Sequence, residues 1–359
     1  MRLGLLLYGS LDHLSGGFIY DRNLVVHLSR QGDRVEVFSL PWRSYPRGLL
    51  DNLQPGLVRR LAEAPFDVLL QDELAHPSLF RLNRWLRGRA PYPIVAIVHH
   101  LRCREARPAW HNRFYRLVER RYLASVDGYV CVSRTTRTDV ESLVGNGRPA
   151  VMAPPGKDGL PGETTREEII ARAAAPGPLK ILFVGNLIPR KELHTLLAAL
   201  ASLPAGTWTL QVAGSLSADP AYVQTVRRRL DAAGLGPRVS LLGVLTPEDL
   251  ADRMMASHLL AVPSSYEGFG IAYLEGMRFG LPAIAGDRGA AGELIDHGRN
   301  GFLVPPGNAP ALAQSVQILL SDRERLAAMS LAAHHSAAAH ATWNESAARV
   351  REFLQQFKA

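Results

Sequence analysis

Short apolar runs rich in branched residues alternate with longer stretches of helical period along the whole chain. In the first half the runs are RLGLLLYG, RVEVFSL, DVLLQ, PIVAIVHH, GYVCVS and AVMAPP; in the second they are LKILFVGN, WTLQVAGS, RVSLLGV, HLLAVPSS, LPAIAG and GFLVPP. Runs of this length separated by helical segments predict parallel strands joined by crossover helices. The expected fold class is α/β, with two doubly wound, Rossmann-like domains facing each other across a cleft. A Gly- and Pro-rich segment, PGKDGLPGETTREEIIARAAAPGP, interrupts the rhythm around one short helical stretch. The expected boundaries are an N-terminal domain over 1–155, a linker over 156–178 and a second domain over 179–340. A terminal helix over 341–359 is expected to pack back toward the N-terminal domain.

A length of 359 residues supports the division, because single hydrophobic cores stop growing near ~250–300 residues. Apolar residues make up 47% of the chain and charged residues 21%, which is the composition of an ordinary globular protein. Cys103 and Cys131 are the two cysteines, with no metal-ligand spacing between them, so neither a zinc site nor a disulfide framework is expected. The opening run MRLGLLLYG is too short for a secretory leader, and no run approaches the ~20 apolar residues that cross a bilayer. The expected location is cytoplasmic, with at most peripheral attachment at the inner face of the cell membrane. A formal charge of +8 favours polyanionic partners, but no zinc-finger or aromatic RNA-binding pattern is present, and a nucleic-acid partner is not expected.

Candidate chemistry sits where strands run into helices. Gly16 and Gly17 precede a helix expected to start near Phe18 or Tyr20, where bare amides can meet an anion. On spacing alone they read equally well as a turn. In the second half Gly185 ends a strand, Asn186 follows, and Arg190 and Lys191 stand at the start of the next helix. Cations there oppose the helix dipole unless an anion lies between them. The segment PSSYEGFGIAYLEGMRFGLP carries Glu267 on the strand-to-helix loop and Glu275 about one turn into the helix. A carboxylate beside the packed face of Ile271 and Leu274 needs hydrogen-bond donors; these could be ligand hydroxyls, or Arg278 could pair with Glu275 on the helix surface. Two carboxylates with glycine-exposed amides suit a ligand bearing both hydroxyls and phosphate.

The chain resembles the retaining glycosyltransferases of GT-B fold, family 4 type, over nearly its full length. The resemblance is carried by FVGNLIPRKELHTLLAAL and by PSSYEGFGIAYLEGMRFGLPAIAGDRGAAGELIDHGRNGFLVPPGN, with VDGYVCVSRTTRTDV and AVMAPPGKD upstream. It implies that Arg190 and Lys191 neutralise a donor diphosphate and that Glu267 contacts the transferred sugar. Phe269, Gly270 and Ile271 would offer backbone amides, and Glu275 would hold the nucleotide ribose. Gly16 and Gly17 would approach the diphosphate from the other domain, His99 would lie at the donor–acceptor junction, and Leu242 and Val244 would flank the base. Two departures stand out. Asn186 occupies a position where the family often has arginine, and RGAAGEL differs from the commoner Gly-Gly-x-x-Glu form, which bears on Glu293.

No Asp-x-Asp occurs, so cations and amides, rather than a metal, are expected to stabilise the leaving group, and no cofactor is expected beside the donor substrate. His99 and His100 end a strand, where an imidazole can donate or accept a proton. Asp72, Glu73 and His76 cap another strand and read equally well as ordinary loop residues. Residues 101–123, LRCREARPAWHNRFYRLVERRYL, form a basic amphipathic stretch, with Arg113, Arg116 and Arg120 on one face and Phe114, Leu117, Val118 and Tyr122 toward another. That face is either solvated or a peripheral contact with anionic lipid.

The expected function is therefore a retaining, metal-independent hexosyltransferase, moving sugar from a nucleotide diphosphate sugar to a glycan or lipid-linked acceptor. A sugar-nucleotide epimerase would lack the paired glutamates. A non-catalytic GT-B subunit that binds nucleotide or a partner protein, suggested by Asn186, stays open at this level.

Overall fold

The computed structural model describes residues 1–52 and 55–358, which divide into two compact units, Met1–Gly156 with Ala341–Ala359, and Lys157–His340. The first holds six strands: β1 (Arg2–Tyr8), β2 (Arg34–Leu40), β3 (Val68–Asp72), β4 (Ile94–Val98), β5 (Gly128–Cys131) and β6 (Ala150–Met152). They form one sheet in the order β2-β1-β3-β4-β5-β6, and every pairing is parallel. β3, β4 and β5 are buried at every position, as expected where helices cover both faces of a parallel sheet.

The second unit repeats the plan with β7 (Leu179–Val184), β8 (Trp208–Ala213), β9 (Val239–Gly243), β10 (Leu259–Val262), β11 (Ala283–Gly286) and β12 (Gly301–Val304). Their order is β12-β11-β10-β7-β8-β9, again all parallel. In each sheet the first strand lies inside the sheet, between the second strand of its unit and a later one. The chain therefore winds away in opposite directions from neighbouring strands, leaving a crevice at their carboxyl ends. These switch points are β1/β3 and β7/β10.

The Gly- and Pro-rich segment after Gly156 belongs to the second unit. Its helix Arg166–Ala174 opens with a Thr165–Glu168 capping box, and the Arg172 guanidinium donates to the carbonyls of Met255, Phe279 and Gly280. The terminal helix Trp343–Gln355 belongs to the first unit. There the Arg351 guanidinium reaches Asp33 at 2.6 Å, Trp343 meets Tyr20 edge to face, and the backbone of Trp343 comes so close to Gly156 that a Cβ there would lie 2.0 Å from its nitrogen.

Candidate active site

The β7/β10 switch point gathers the polar groups of the second unit. Gly185 leaves β7 with φ +151°, and a Cβ on it would lie 3.1 Å from Cε of Lys191, so the bare backbone lets the lysine stem fold over the strand end. The turn Pro189–Lys191 follows, then Glu192 in the left-handed region at φ 53°. That conformation is costly for a side-chain-bearing residue. It is held by the Glu192 carboxylate, which accepts from the Thr195 hydroxyl at 3.0 Å and the Gly307 N–H at 2.7 Å.

The turn delivers Arg190 and Lys191 to Glu267, which stands after β10. Lys191 Nζ lies 2.6 Å from Glu267 Oε1, and Arg190 Nη1 lies 3.5 Å from Oε2 while donating to the Tyr266 carbonyl at 2.6 Å. Burial raises the Glu267 carboxyl, but the Lys191 ammonium and Arg190 guanidinium outweigh it and hold the group at about 2. Burial lowers Lys191, against the pull of Glu267. The result is a buried carboxylate shared by two cations. RGAAGEL explains how Glu267 is positioned. Gly289 bridges to it in parallel fashion, the Ala290 N–H donates to the Glu267 carbonyl at 2.8 Å, and a Cβ on Gly289 would lie 2.1 Å from that oxygen.

Gly270 caps the helix Ile271–Arg278 at φ 100°, where a Cβ would lie 2.3 Å from the Tyr273 ring. Phe269 is buried against His340. The Tyr273 and Leu274 amides donate to the Gly270 carbonyl at 3.0 and 3.4 Å, while those of Ile271 and Ala272, ahead of them, have no partner within the helix and stand at its positive dipole end. Glu275 lies just beyond, 8% exposed, and burial pushes its carboxyl up to about 7. Arg278 does not pair with it, because that guanidinium donates to the carbonyls of Leu160 at 2.5 Å and Gly162 at 2.6 Å. Among the described residues Glu275 has neither a hydrogen-bond nor an ion-pair partner. Leu242 is half-buried in β9 and Val244, just past it, is 52% exposed. Asn186 accepts from the Ser215 N–H at 3.3 Å, tying the loop after β7 to the one after β8.

In the first unit the helix after β1 starts earlier than expected. It spans Gly16–Arg30 from an extended Ser15, so Gly16 and Gly17 form its first turn and do not precede it. The glycine at 17 is needed for packing: a Cβ there would lie 3.0 Å from Cδ2 of His99. His99 stands after β4 with Nε2 3.3 Å from Asp21 Oδ1 and 4.0 Å from Asp72 Oδ1. Asp21 is fully buried on the same helix as Gly17, four residues on. Burial lowers the imidazole, but Asp21, then Asp72 and Glu73, raise it to about 9. Burial and Asp21 in turn raise the Asp72 carboxyl.

Asp72, Glu73 and His76 are not ordinary loop residues. They are 1%, 4% and 2% exposed. His76 Nδ1 lies 2.9 Å from Glu73 Oε1, and Glu119 closes the group by accepting from the N–H groups of Arg102 at 2.5 Å and Cys103 at 3.1 Å. Burial pushes both Glu73 and Glu119 up to about 7. Two trios, Asp21–Asp72–His99 and Glu73–His76–Glu119, bring three ligand-type atoms within 4.8 Å, and either could hold a small cation. His100 pairs with Glu105 at 2.9 Å. Sequence reasoning overlooked Asp21, Glu192 and Gly289. The available signal for Asp21 was a lone carboxylate between Tyr20 and Leu24 on the apolar side of its helix.

The basic stretch also differs from expectation. Arg102–Arg104 form a separate turn and the helix spans Ala109–Leu123. Val118 and Tyr122 pack inward as expected, but Phe114 and Leu117 are 42% and 47% exposed, on the same side as the arginines.

Two family models match in succession: "Glycosyl transferase 4-like domain" over residues 19–156 and "Glycosyl transferases group 1" over residues 165–336. The chain is 29% identical over 253 residues to a GDP-mannose-dependent alpha-(1-6)-phosphatidylinositol monomannoside mannosyltransferase of Mycobacterium tuberculosis, covering 67% of this chain and 64% of that protein. It is 27% identical to a D-inositol 3-phosphate glycosyltransferase of Nocardia farcinica, covering 96% of this chain and 85% of that one. The solved structure of a sucrose-phosphate synthase from Thermosynechococcus elongatus superposes with a TM-score of 0.81 at 22% identity, over 99% of this chain and 98% of that one. With two six-stranded parallel sheets of one plan and two glycosyltransferase models that match in succession over residues 19–156 and 165–336, the chain belongs to the GT-B glycosyltransferases with a family-4-like first domain and a group 1 second domain.

Proposed function

We propose that the protein is a retaining, metal-independent hexosyltransferase that takes its sugar from a nucleoside diphosphate sugar and passes it to a lipid-linked acceptor. The observation that carries this reading is the buried Arg190–Lys191–Glu267 cluster set beside the amide end of helix Ile271–Arg278 and the unpartnered Glu275. Cations and amides suit a diphosphate, and the two carboxylates suit the hydroxyls of its two sugars. The name of the mannosyltransferase relative, which includes GDP-mannose and a phosphatidylinositol mannoside, supports a hexosyl donor and a lipid-linked acceptor, and that of the D-inositol 3-phosphate glycosyltransferase supports glycosyl transfer.

In the proposed reaction the bond from C1 of the sugar to the diphosphate breaks and a bond from C1 to the acceptor oxygen forms on the same face. The acceptor proton passes to the departing phosphate oxygen, and the nucleoside diphosphate leaves. Arg190 and Lys191 stabilise the charge that develops on that oxygen, where electrostatic preorganisation is most effective. We assign His99, whose protonated form Asp21 and Asp72 favour, the role of a hydrogen-bond donor in the transfer. The same reading puts the protein at the inner membrane surface, where such an acceptor would be met.

The test is thermal stability with UDP, GDP, ADP and TDP, each in chelator, for the protein and for Arg190→Ala. At about 100 times the dissociation constant a ligand should stabilise by ~2.7 kcal/mol. One preferred base, with the shift abolished in Arg190→Ala, is expected, followed by a product whose early anomeric NMR signal matches the donor. No shift with any nucleotide would overturn the reading in favour of a non-catalytic subunit, and a shift that appears only with added divalent metal would overturn its metal independence.

A further inference from the structure

The surplus charge of the chain is confined to one unit. The first unit carries 25 Lys and Arg against 16 Asp and Glu, and the second 16 against 17. Within the first unit the arginines converge. A cavity of about 580 Å³ is lined by Arg81, Arg84, Arg87 and Arg121, together with Phe80, Ala124 and Ser125. Arg87 reaches Asp127 at 3.2 Å. Arg81, Arg84 and Arg121 have no side-chain ion-pair partner among the described residues. Guanidiniums gathered round one hollow repel each other unless an anion joins them, and their forked donors match phosphate geometry.

Arg121 also belongs to helix Ala109–Leu123. At 3.6 residues per turn, Trp110, Phe114, Leu117 and Arg121 fall in one stripe of that helix. Trp110 is 67% exposed, Phe114 42% and Leu117 47%. Arg113 and Arg120 flank the stripe, while Tyr115, Val118, Glu119 and Tyr122 bury the opposite face. The stripe ends at the cavity mouth. A row of exposed Trp, Phe and Leu edged by arginine is the pattern of a helix lying in a lipid interface.

We propose that this face docks on an anionic membrane, with the arginine cavity receiving a phosphate of a lipid headgroup while Trp110, Phe114 and Leu117 enter the boundary between headgroups and acyl chains. The site belongs to the first unit, and the donor cluster to the second. It rests on the proposed function only for its purpose, delivery to a lipid-linked acceptor.

The experiment is co-sedimentation of the full chain with phosphatidylcholine vesicles containing or lacking phosphatidylglycerol, with glycerol phosphate as a soluble competitor. The variants are R81A/R84A/R121A and W110S/F114S/L117S, and the UDP/GDP thermal shift is measured on each as a folding and donor-site control. Binding to anionic vesicles should fall about five-fold per arginine removed, on the order of 100-fold for the triple variant. The apolar triple should bind weakly at all salt concentrations, and the wild-type affinity should fall with ionic strength. Binding of glycerol phosphate at millimolar levels, lost in R81A/R84A/R121A, with no binding to anionic vesicles would show a free-phosphate site and overturn the docking proposal. So would equal binding to neutral vesicles, unchanged binding by both variants, or binding to a single-stranded oligonucleotide with none to vesicles. Vesicle binding without any nucleotide shift would leave the docking face intact and overturn only the transferase reading.

Discussion

Lys191 Nζ lies 2.6 Å from Glu267 Oε1, so the two residues that the sequence suggested for phosphate and for sugar are each other's partner. Both side chains are largely withdrawn from water, at 16% and 10% exposure. Removing one member of such a pair strands the other.

The first prediction is a double-mutant cycle on this pair. Lys191→Met and Glu267→Leu should each destabilise by about 3 kcal/mol, and the double variant by clearly less than their sum. Urea unfolding measures this, and strict additivity would show that the pair is not coupled. The sign with pH follows from the depressed carboxyl. Its stabilising contribution is present above the ordinary 4.5 and is lost as pH falls through about 2. Glu267→Leu should therefore flatten the acid limb of the stability curve.

Glu275 behaves in the opposite sense. Its folded-state carboxyl lies near 7 against an ordinary 4.5, so the folded state holds the proton more tightly, and stability falls as pH rises between those values. Glu275→Gln should leave stability unchanged at pH 4 and raise it by on the order of 3 kcal/mol at pH 8. It should also weaken nucleoside diphosphate binding through loss of a ribose acceptor. Thermal melts across pH, with and without nucleotide, check both halves. A variant no more stable at pH 8 would place a compensating partner on Glu275.

Asp21 acts on His99 across 3.3 Å. Because the folded imidazole is raised to about 9, its contribution is full below the ordinary 6.5 and lost as pH rises through about 9. Asp21→Asn should lower the His99 titration by roughly one unit or more and move the alkaline limb of activity down with it. Two-dimensional NMR of the imidazole reads the titration directly, and an unmoved midpoint would assign the control to Asp72.

Gly270→Ala tests the turn that opens the helix after Glu267. Both the φ of 100° and the Tyr273 ring, 2.3 Å from a Cβ, oppose the methyl group. A loss of about 2–4 kcal/mol is expected, with nucleotide binding weakened in the protein that still folds. Gly298→Ala, at φ 82° with nothing near its Cβ, is the control and should cost about 1–2 kcal/mol.

The twelve strands, the two-unit plan and the paired glutamates were all legible in the sequence, because each rests on local period and spacing. A buried parallel strand is an apolar run wherever it lies in the sheet, as LKILFVGN and β7 illustrate. What only the tertiary structure decided is which polar ends meet. Strand order brings the loop after β7 against the one after β10, so that Lys191 reaches Glu267 across 76 residues. It likewise sets Asp21 from one helix against His99 and Asp72 from the ends of two strands. The exposed stripe of Trp110, Phe114 and Leu117 was equally hidden, since helical period tells which residues share a face but not which face the rest of the chain covers. Burial and charged partners both depend on neighbours distant in sequence: burial alone raises Glu275, whereas at Glu267 and His99 the oppositely charged partners outweigh it.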